Sequence, residues 1–119
     1  MNDIYLSLPL ESDYLTTVRL TVGGVCAMAG FDIDRTEDVK VCVTESLLLF
    51  QRNGYLRAQL RFDFKGGLNA VVSGEGERLP KQESPEDEIS YALLDALSDE
   101  ALFRKEGDSL LEITLKNGN

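Results

Sequence analysis

The side chains that could carry out chemistry in this sequence are mainly carboxylates. The chain contains 21 aspartates and glutamates but only two cysteines, and it contains no histidine. Without histidine, a histidine-based zinc site and acid–base catalysis by imidazole are both excluded. Cys26 and Cys42 lie in apolar patterns of helical spacing, and no CxxC pair is present. We therefore expect both cysteines to be reduced, buried and structural.

Three short groups of residues remain as candidates for a site. Glu45 lies in an apolar helical segment, Gly74-Glu75-Gly76 is a Gly-x-Gly run, and residues 86–88 are consecutive acids. Each has an ordinary interpretation when taken alone. Glu45 is then a helix-surface carboxylate, the Gly-x-Gly run is a turn, and the acids favour the dipole at a helix N-terminus.

The charge of the chain is acidic and unevenly placed. The formal net charge is −9, and residues 75–112 contain twelve acids against four bases. Binding to DNA, RNA or an anionic membrane requires a basic surface, so these partners are disfavoured. The acidic segment is either a solvated face that aids solubility or a docking surface for a basic partner.

The composition predicts one globular domain over residues 1–119, located in the cytoplasm. Hydrophobic residues make up 43% of the chain and charged residues 28%, which is ordinary for a domain with one core. The N-terminal sequence has no basic region before an apolar core, so we expect no signal peptide. No apolar run approaches the length of a membrane span.

The first part of the chain predicts a strand and a helix. Alternating apolar residues predict a strand over residues 4–10, in which Pro9 marks an edge or an end. Ser12 or Asp13 is expected to cap the helix that follows. The glycines at 23–24 cost this helix about 1 kcal/mol each relative to alanine, and they either allow close backbone packing or simply weaken it. Its predicted buried residues are Leu15, Val18, Val22, Val25, Cys26 and Ala29.

A second helix is predicted after Gly30. Asp32 or Asp34 opens it, and Glu37 stands where a capping box with Asp34 needs it. Its predicted buried stripe is Val39, Cys42, Val43, Ser46, Leu47 and Phe50. Leu48 and Leu49 widen the apolar surface, so the helix is either deeply buried or covered on a second side.

The C-terminal half predicts two β-hairpins separated by a loop and a third helix. The first hairpin joins strands at 56–64 and 68–72 through a turn at 65–67, and residues 73–87 form the loop. A turn at 106–108 joins the last two strands. The apolar sets are Leu56, Ala58, Leu60, Phe62 and Phe64 on the first strand, Ile89, Leu93, Leu94, Ala96 and Leu97 on the helix, and Leu111, Ile113 and Leu115 on the last strand.

This order of elements predicts the fold class. Strands joined by tight turns pair antiparallel, and one polar row per strand leaves one face of the sheet in water. Helices then cover the other face. We expect an α/β (α+β) two-layer sandwich, with a mostly antiparallel sheet of about five strands and three helices on one face.

Four short runs of the sequence match the motifs of one known family. Residues 37–46, EDVKVCVTES, are similar to a helix of the type EDIKxAVSEA, and residues 53–55, NGY, to the H-[AG]-Y that follows it. Residues 96–100, ALSDE, resemble an LMDE run, and residues 112–116, EITLK, a closing strand. Together they resemble the GHKL (histidine-kinase-like) ATPase domain of bacterial anti-sigma-factor serine/threonine kinases, which implies the histidine-kinase-type ATPase fold.

The resemblance also implies where a nucleotide would bind. In that family a helix glutamate, here Glu45, polarises the attacking hydroxyl or water. An asparagine four residues later ligates magnesium, and this chain has Leu49 there. An aspartate in a D-x-G-x-G turn binds adenine, and this chain has Val72 there. Of the nucleotide-binding turn only Gly74 and Gly76 remain.

Neighbouring residues do not replace the missing groups. Asn53 carries an amide but lies about two helical turns beyond Glu45, and Ser73 is a weaker partner for adenine. The glycines that close on the phosphates align with residues 88–91. The acids at 86–88 would stand beside the triphosphate, where like charges cost on the order of 1 kcal/mol per pair.

Three functions are compatible with these residues. The first is a non-catalytic anti-sigma-factor-like regulatory domain that has lost ATP binding, needs no cofactor and binds a protein. The resemblance suggests a sigma factor or an antagonist protein as that partner, or a second copy in a homodimer, with apolar residues refilling the ATP pocket. The second is a divergent ATP-dependent serine/threonine kinase, which needs ATP and magnesium. The third, an accessory protein of another kind, follows if the topology departs from the GHKL sandwich.

Overall fold

The computed structural model describes residues 3–81 and 84–118, and in this part of the chain one sheet contains all the strands. They are β1 (Ile4–Pro9), β2 (Tyr55–Asp63), β3 (Leu68–Arg78), β4 (Glu100–Glu106) and β5 (Ser109–Asn117). Their order across the sheet is β1-β2-β3-β5-β4, and every neighbouring pair is antiparallel. The predicted five-stranded antiparallel sheet is confirmed, with Pro9 at the end of an edge strand.

Three α-helices form the second layer within the described residues. They are α1 (Leu15–Met28), α2 (Ile33–Arg52) and α3 (Glu86–Leu97). Helix α2 contacts β2, β3 and β5 and also both other helices. The α/β sandwich is therefore organised around α2. None of the helices in residues 3–81 and 84–118 is long and apolar enough to cross a bilayer.

The inner face of the sheet consists of rows of apolar residues on adjacent strands. In the central row, Leu60 pairs with Leu6 on one side and with Val72 on the other, and Val72 pairs with Ile113. Leu60, Val72 and Ile113 are buried in the core. The neighbouring row on the outer face is more polar, as predicted for a sheet with one wet face. It consists of Tyr5, Arg61, Val71 and Thr114.

The start of α2 is capped by Asp32, one of the two predicted residues. Its carboxylate accepts a hydrogen bond from the Arg35 amide at 2.7 Å. The predicted capping box of Asp34 with Glu37 is wrong, because Glu37 accepts a hydrogen bond from Lys40 instead. All six residues predicted for the buried stripe of α2 are buried.

The predicted cap of α1 is also wrong. Residues Ser12–Tyr14 form a 3₁₀ turn, and Tyr14 precedes α1 without a side-chain cap. A methyl group on Gly24 meets nothing within 4 Å, and one on Gly23 would only touch the Lys40 side chain at 3.5 Å. Neither glycine of α1 is therefore required by close packing inside this chain.

Strand β3 is longer than predicted, because residues assigned to a loop continue the ladder. Glu75 pairs with Arg57 and Arg78 with Tyr55, so the backbone polar groups of this segment are satisfied by β2. The predicted loop at 73–87 is therefore wrong for residues 73–78, which belong to β3, and for residues 86–87, which begin α3. Residues 82 and 83 of this predicted loop lie outside the described part of the chain.

A change of register at the start of β2 exchanges two side chains between core and surface. The pairing of β2 with β3 shifts between Tyr55 and Arg57, where Gly76 has a φ of 75°. Tyr55 is consequently buried, whereas Leu56, which was predicted to face the core, is 56% exposed. A similar shift between Arg104 and Lys105 buries Leu110 in place of the predicted Leu111.

Helix α3 also presents a different face from the one predicted. Leu94 and Ser90 are its buried residues, whereas Ile89 is 63% exposed and Ala96 is exposed. A polar contact with α2 takes up part of the inner face of this helix. That contact involves Ser90 and is described below.

The β2–β3 hairpin is held at its turn by Asp63. Its carboxylate accepts hydrogen bonds from Asn69 Nδ2 at 2.7 Å, Arg61 Nη1 at 3.0 Å and the Lys65 amide at 3.2 Å. Burial by itself raises the pKa of Asp63, but the three donors outweigh it, so the pKa lies below its ordinary value.

We expect Asp63→Asn to lower the free energy of unfolding by about 2 kcal/mol at pH 7, because hydrogen bonds to a charged group are lost. Folding lowers the pKa of Asp63, so its carboxylate stabilises the fold above the unfolded pKa of about 3.9. This stabilisation is lost as pH falls through the folded pKa. Urea unfolding at pH 7 and at about pH 2 measures the effect, and an equal difference between variant and wild type at both pH values contradicts it.

Candidate functional site

The residues that could form a nucleotide site lie along α2 and at the start of α3. Glu45 and Leu49 are one turn apart on α2 and so lie on the same side of the helix. Leu49 is 0% exposed and belongs to the core. Its hydrocarbon side chain offers no oxygen ligand, which magnesium requires. The side chain at position 49 is therefore part of the hydrophobic core.

The Glu45 carboxylate accepts a hydrogen bond from a residue of α3. Ser90 Oγ donates a hydrogen bond to Glu45 Oε2 at 2.8 Å, and Ser90 is buried. Arg52 Nη2 donates to the same Ser90 oxygen at 2.7 Å. The hydroxyl thus links an acid and a base of α2 to α3.

Arg52 continues this network to the first turn of α3. Its Nε donates to Asp87 Oδ1 at 2.5 Å, and both side chains are largely buried. Glu86 lies farther away, at 3.8 Å from Nη1, and is exposed. We call the contacts among Glu45, Arg52, Asp87 and Ser90 the α2–α3 network.

The acids at the start of α3 have the role expected from the helix dipole. Glu86, Asp87 and Glu88 all lie in the first turn, where negative charge is favourable. Asp87 is in addition paired with Arg52. An anion that approached this helix end would meet the remaining carboxylates.

The amide of Asn53 is used by the backbone. Its Nδ2 donates to the Leu49 carbonyl at 2.8 Å, and its Oδ1 accepts from the Leu110 amide at 3.3 Å. Asn53 is buried and joins the end of α2 to β5. Both polar atoms of the Asn53 amide are therefore in hydrogen bonds with the backbone.

Gly74 and Gly76 lie within β3, away from the α2–α3 network. Gly74 pairs with Ala58, and a methyl group on Gly74 would stand 2.2 Å from Tyr55 Cε1. The Tyr55 ring packs edge-on against Phe50, and its hydroxyl donates to the Leu110 carbonyl at 2.9 Å. Gly74 is thus required by the tyrosine ring.

The residues at the adenine positions contribute a core side chain and a surface hydroxyl. Val72 is fully buried, between Leu60 and Ile113. Ser73 pairs with Gln59 and Glu112 in the adjacent register position. Neighbouring strand residues point to opposite faces of a sheet, so Ser73 lies on the outer face, away from α2.

Among the residues that the structure describes, the two cysteines and the acids offer no other reactive centre. Cys26 and Cys42 are free and buried, as predicted. Burial, together with the nearby Asp38 and Glu45 carboxylates, raises the pKa of the Cys42 thiol to about 12. Among residues 3–81 and 84–118, no cluster of three histidine, cysteine, aspartate or glutamate side chains could hold a metal ion.

Sequence reasoning placed Glu45 correctly on its helix and expected acids at the start of α3, although it assigned residues 86–87 to the loop. It missed the contacts of Arg52, Ser90 and Tyr55. Arg52 lies in the last turn of α2, where a cation is favourable. Its charge was the one feature of the sequence that could have marked it as a candidate. Ser90 lies four residues before the buried Leu94 on α3, which puts both on the same helix face. Their partners are 35 to 45 residues distant in sequence, so no local pattern identifies them.

Comparison with known proteins finds similarity to one kind of kinase. The chain is 27% identical over 90 residues to the serine-protein kinase RsbW of Bacillus subtilis, covering 71% of this chain and 56% of that protein. It is 31% identical over 81 residues to RsbW of Staphylococcus epidermidis, covering 62% and 51%. No family model matches. The chain spans about half the length of these curated relatives, and the similarity agrees with the resemblance found in the sequence.

We expect Gly74→Ala to destabilise the fold by about 1–3 kcal/mol, because the new methyl group overlaps the Tyr55 ring. Gly23→Ala is the matched control, since its methyl group makes only an ordinary contact. It should leave stability unchanged or raise it by up to about 1 kcal/mol. Urea denaturation measures both variants, and equal stability of the two contradicts the assigned role of Gly74.

We expect Arg52→Met to lower the free energy of unfolding by about 2 kcal/mol or more, since it leaves the largely buried Asp87 without its cation. Amide exchange in α3 should rise more than in β2. Arg104→Met is the control, because the Arg104–Glu112 contact of 3.7 Å is exposed and such pairs contribute little. Similar losses in both variants argue against a special role for the α2–α3 network.

Proposed function

We propose that this chain is a non-catalytic, anti-sigma-factor-like regulatory domain that binds a protein and has lost ATP binding. The observation that carries the proposal is the complete burial of Leu49 in the core. In the ATPase domains that the chain resembles, this position supplies the magnesium-ligating asparagine. A leucine there can neither bind the metal nor move aside without exposing apolar surface to water.

The α2–α3 network supports the same conclusion. Ser90 occupies the Glu45 carboxylate, and Arg52 is committed to Asp87 and Ser90. A triphosphate placed between α2 and α3 would have to displace these contacts. It would also face the acids of the first turn of α3, where like charges repel.

The partner of this domain is proposed to be a protein. A sigma factor or an antagonist of an anti-sigma factor is the kind that the resemblance suggests, and a homodimer is compatible with it. The acidic residues between 75 and 112 would favour a partner with a basic surface through charge complementarity. Binding would not need nucleotide, because α3 is already packed on α2.

The alternative is a divergent ATP-dependent serine/threonine kinase. Two observations favour it: the similar proteins are serine-protein kinases, and Glu45 is still partly exposed. Glu45 lines a groove of about 350 Å³ together with Arg19, Lys40 and Thr44. A reacting hydroxyl could approach the carboxylate from this side.

Isothermal titration with Mg·ATP tests the proposal directly. We expect no binding at nucleotide concentrations up to about 1 mM. A dissociation constant above 1 mM corresponds to a binding free energy weaker than about −4 kcal/mol. A GHKL ATPase domain with intact motifs serves as the positive control. Micromolar binding by this chain would overturn the proposal.

A phosphotransfer assay decides between the two functions. The chain is incubated with labelled Mg·ATP and a small protein encoded beside it, and the label on serine is measured. We expect no transfer. Transfer that Glu45→Gln abolishes would instead establish the kinase, because the resemblance assigns to Glu45 the role of polarising the attacking hydroxyl.

A further inference from the structure

A groove of about 400 Å³ lies where β2 begins, between the end of α2 and the segment that follows β3. Its apolar lining comes from Leu10, Leu56, Leu79 and Pro80, and Arg52 also lines it. Leu56 is 56% exposed and Leu79 is 59% exposed. Single exposed leucines are common on protein surfaces, whereas apolar side chains grouped in one concave surface mark binding sites. We call this surface the Leu56 groove.

The register shift at the start of β2 is what directs Leu56 into this groove. The shift lies between Tyr55 and Arg57, and it leaves Tyr55 buried and Leu56 exposed. Irregularities of this kind re-aim side chains and are common next to functional sites. The shift therefore supplies the groove with one of its apolar side chains.

Backbone hydrogen bonds hold the walls of the Leu56 groove in place. The Leu79 amide donates to the Gly54 carbonyl at 2.8 Å, and the Leu10 amide donates to the Leu56 carbonyl at 2.9 Å. Gly54 has a φ of 92°, and a methyl group there would stand 2.0 Å from the Leu79 carbonyl oxygen. Glycine is therefore required for this close approach. Walls that are fixed in this way need little rearrangement to accept a ligand.

A smaller apolar recess continues the Leu56 groove toward the start of α1. It shares Leu10 and Gln51 with the groove, and it is lined in addition by Leu15 and Leu48. Leu48 is half-buried and is one of the two leucines that widen the apolar surface of α2 beyond its stripe. The groove and the recess together can accept neighbouring apolar side chains of one ligand.

The exposed charges beside these two surfaces are carboxylates. Glu11 lines the recess and is exposed, and the exposed Glu86 lies 3.8 Å from Nη1 of Arg52 in the groove. Arg52 itself is committed to the α2–α3 network. The bases nearest to Pro80 in sequence, Arg78 and Lys81, line a neighbouring cavity instead. A ligand with cationic groups at its ends is therefore favoured.

We propose that the Leu56 groove binds an extended segment of a partner protein in which apolar side chains are flanked by lysine or arginine. An extended segment directs alternate side chains to the same face, which suits an apolar groove that continues into an apolar recess. The flanking cations complement Glu11 and Glu86. This inference rests on the proposed function, since it names the surface and the partner chemistry through which a protein-binding domain would act.

Fluorescence anisotropy of a labelled peptide, titrated with the full chain, tests the proposal. The probe is Lys-Lys-Leu-Ser-Leu-Lys-Lys, in which the two leucines lie on one side of an extended chain. We expect saturable binding with a dissociation constant on the order of 10–100 µM. A second peptide with serine in place of both leucines keeps the charge and removes the apolar contact. It should bind at least about tenfold more weakly.

Variants of the chain locate the contact. Leu56→Ser should weaken binding of the leucine peptide at least about fivefold, because it removes an apolar side chain of the groove. Leu102→Ser is the matched control, since Leu102 is a strand leucine that is 46% exposed on β4. It should leave the dissociation constant within about twofold of wild type. Both leucines are exposed, so both variants should fold, and their thermal midpoints verify it.

The charge contribution is tested in the same way. Glu11→Gln should weaken binding at least about twofold at low salt, and by less at high salt, because screening reduces the attraction. Glu106→Gln removes the same charge from an exposed position at the end of β4. It should have a smaller effect than Glu11→Gln at low salt.

Two results would overturn the proposal. The first is an absence of saturable peptide binding up to about 1 mM chain, well above the expected dissociation constant. The second is equal weakening by Leu56→Ser and Leu102→Ser, which would indicate general attraction to an acidic chain. Calorimetry with Mg·ATP on the same samples separates this inference from the proposed function. If neither ligand binds, the groove is wrong and the loss of ATP binding stands, whereas binding of both ligands gives the opposite conclusion.

Discussion

The rest of the fold depends on the burial of α2, which contacts three strands and the two other helices. Its apolar residues extend beyond one stripe, since Leu49 is buried together with Leu47 and Phe50. A helix that is covered on several sides has little surface left for binding a ligand. The same packing that gives the domain its core thus buries Leu49, the residue on which the proposed loss of ATP binding depends.

The polar groups that remain between α2 and α3 satisfy one another. Arg52, Asp87, Ser90 and Glu45 form a chain of hydrogen bonds in which each charged group has a partner. Buried polar groups are costly when unpaired and stable when the network is complete. This network holds the first part of α3 against α2 through hydrogen bonds of the chain's own side chains.

Glycines of this chain act in different ways according to their surroundings. Gly74 gives space to the Tyr55 ring inside the domain, whereas Gly24 faces outward with nothing packed against it. The sequence alone presents Gly24 as an interruption of a helix and Gly74 as part of a loop. The distinction matters for stability, because a methyl group added at the inward glycine overlaps a core ring, whereas one added at the outward glycine meets no atom of the chain.

The elements and their order were predictable from the sequence, because period-2 and helical spacing of apolar residues are local properties. The buried stripe of α2 and the antiparallel sheet followed from them. The burial of Tyr55 in place of Leu56 did not, since it depends on a register shift between two strands. The extension of β3 through Gly74 and Gly76 was likewise hidden, because glycine favours turns locally and only pairing with β2 overrides that tendency.

The sequence by itself determined which chemical groups are present: no imidazole, a leucine at position 49 and an excess of acids. Only the tertiary structure decided what those groups contact. Ser90 meets Glu45 across 45 residues of chain, and Asn53 turns its amide to the backbone of α2 and β5. Contacts between distant segments depend on how whole elements pack, and local spacing does not encode them.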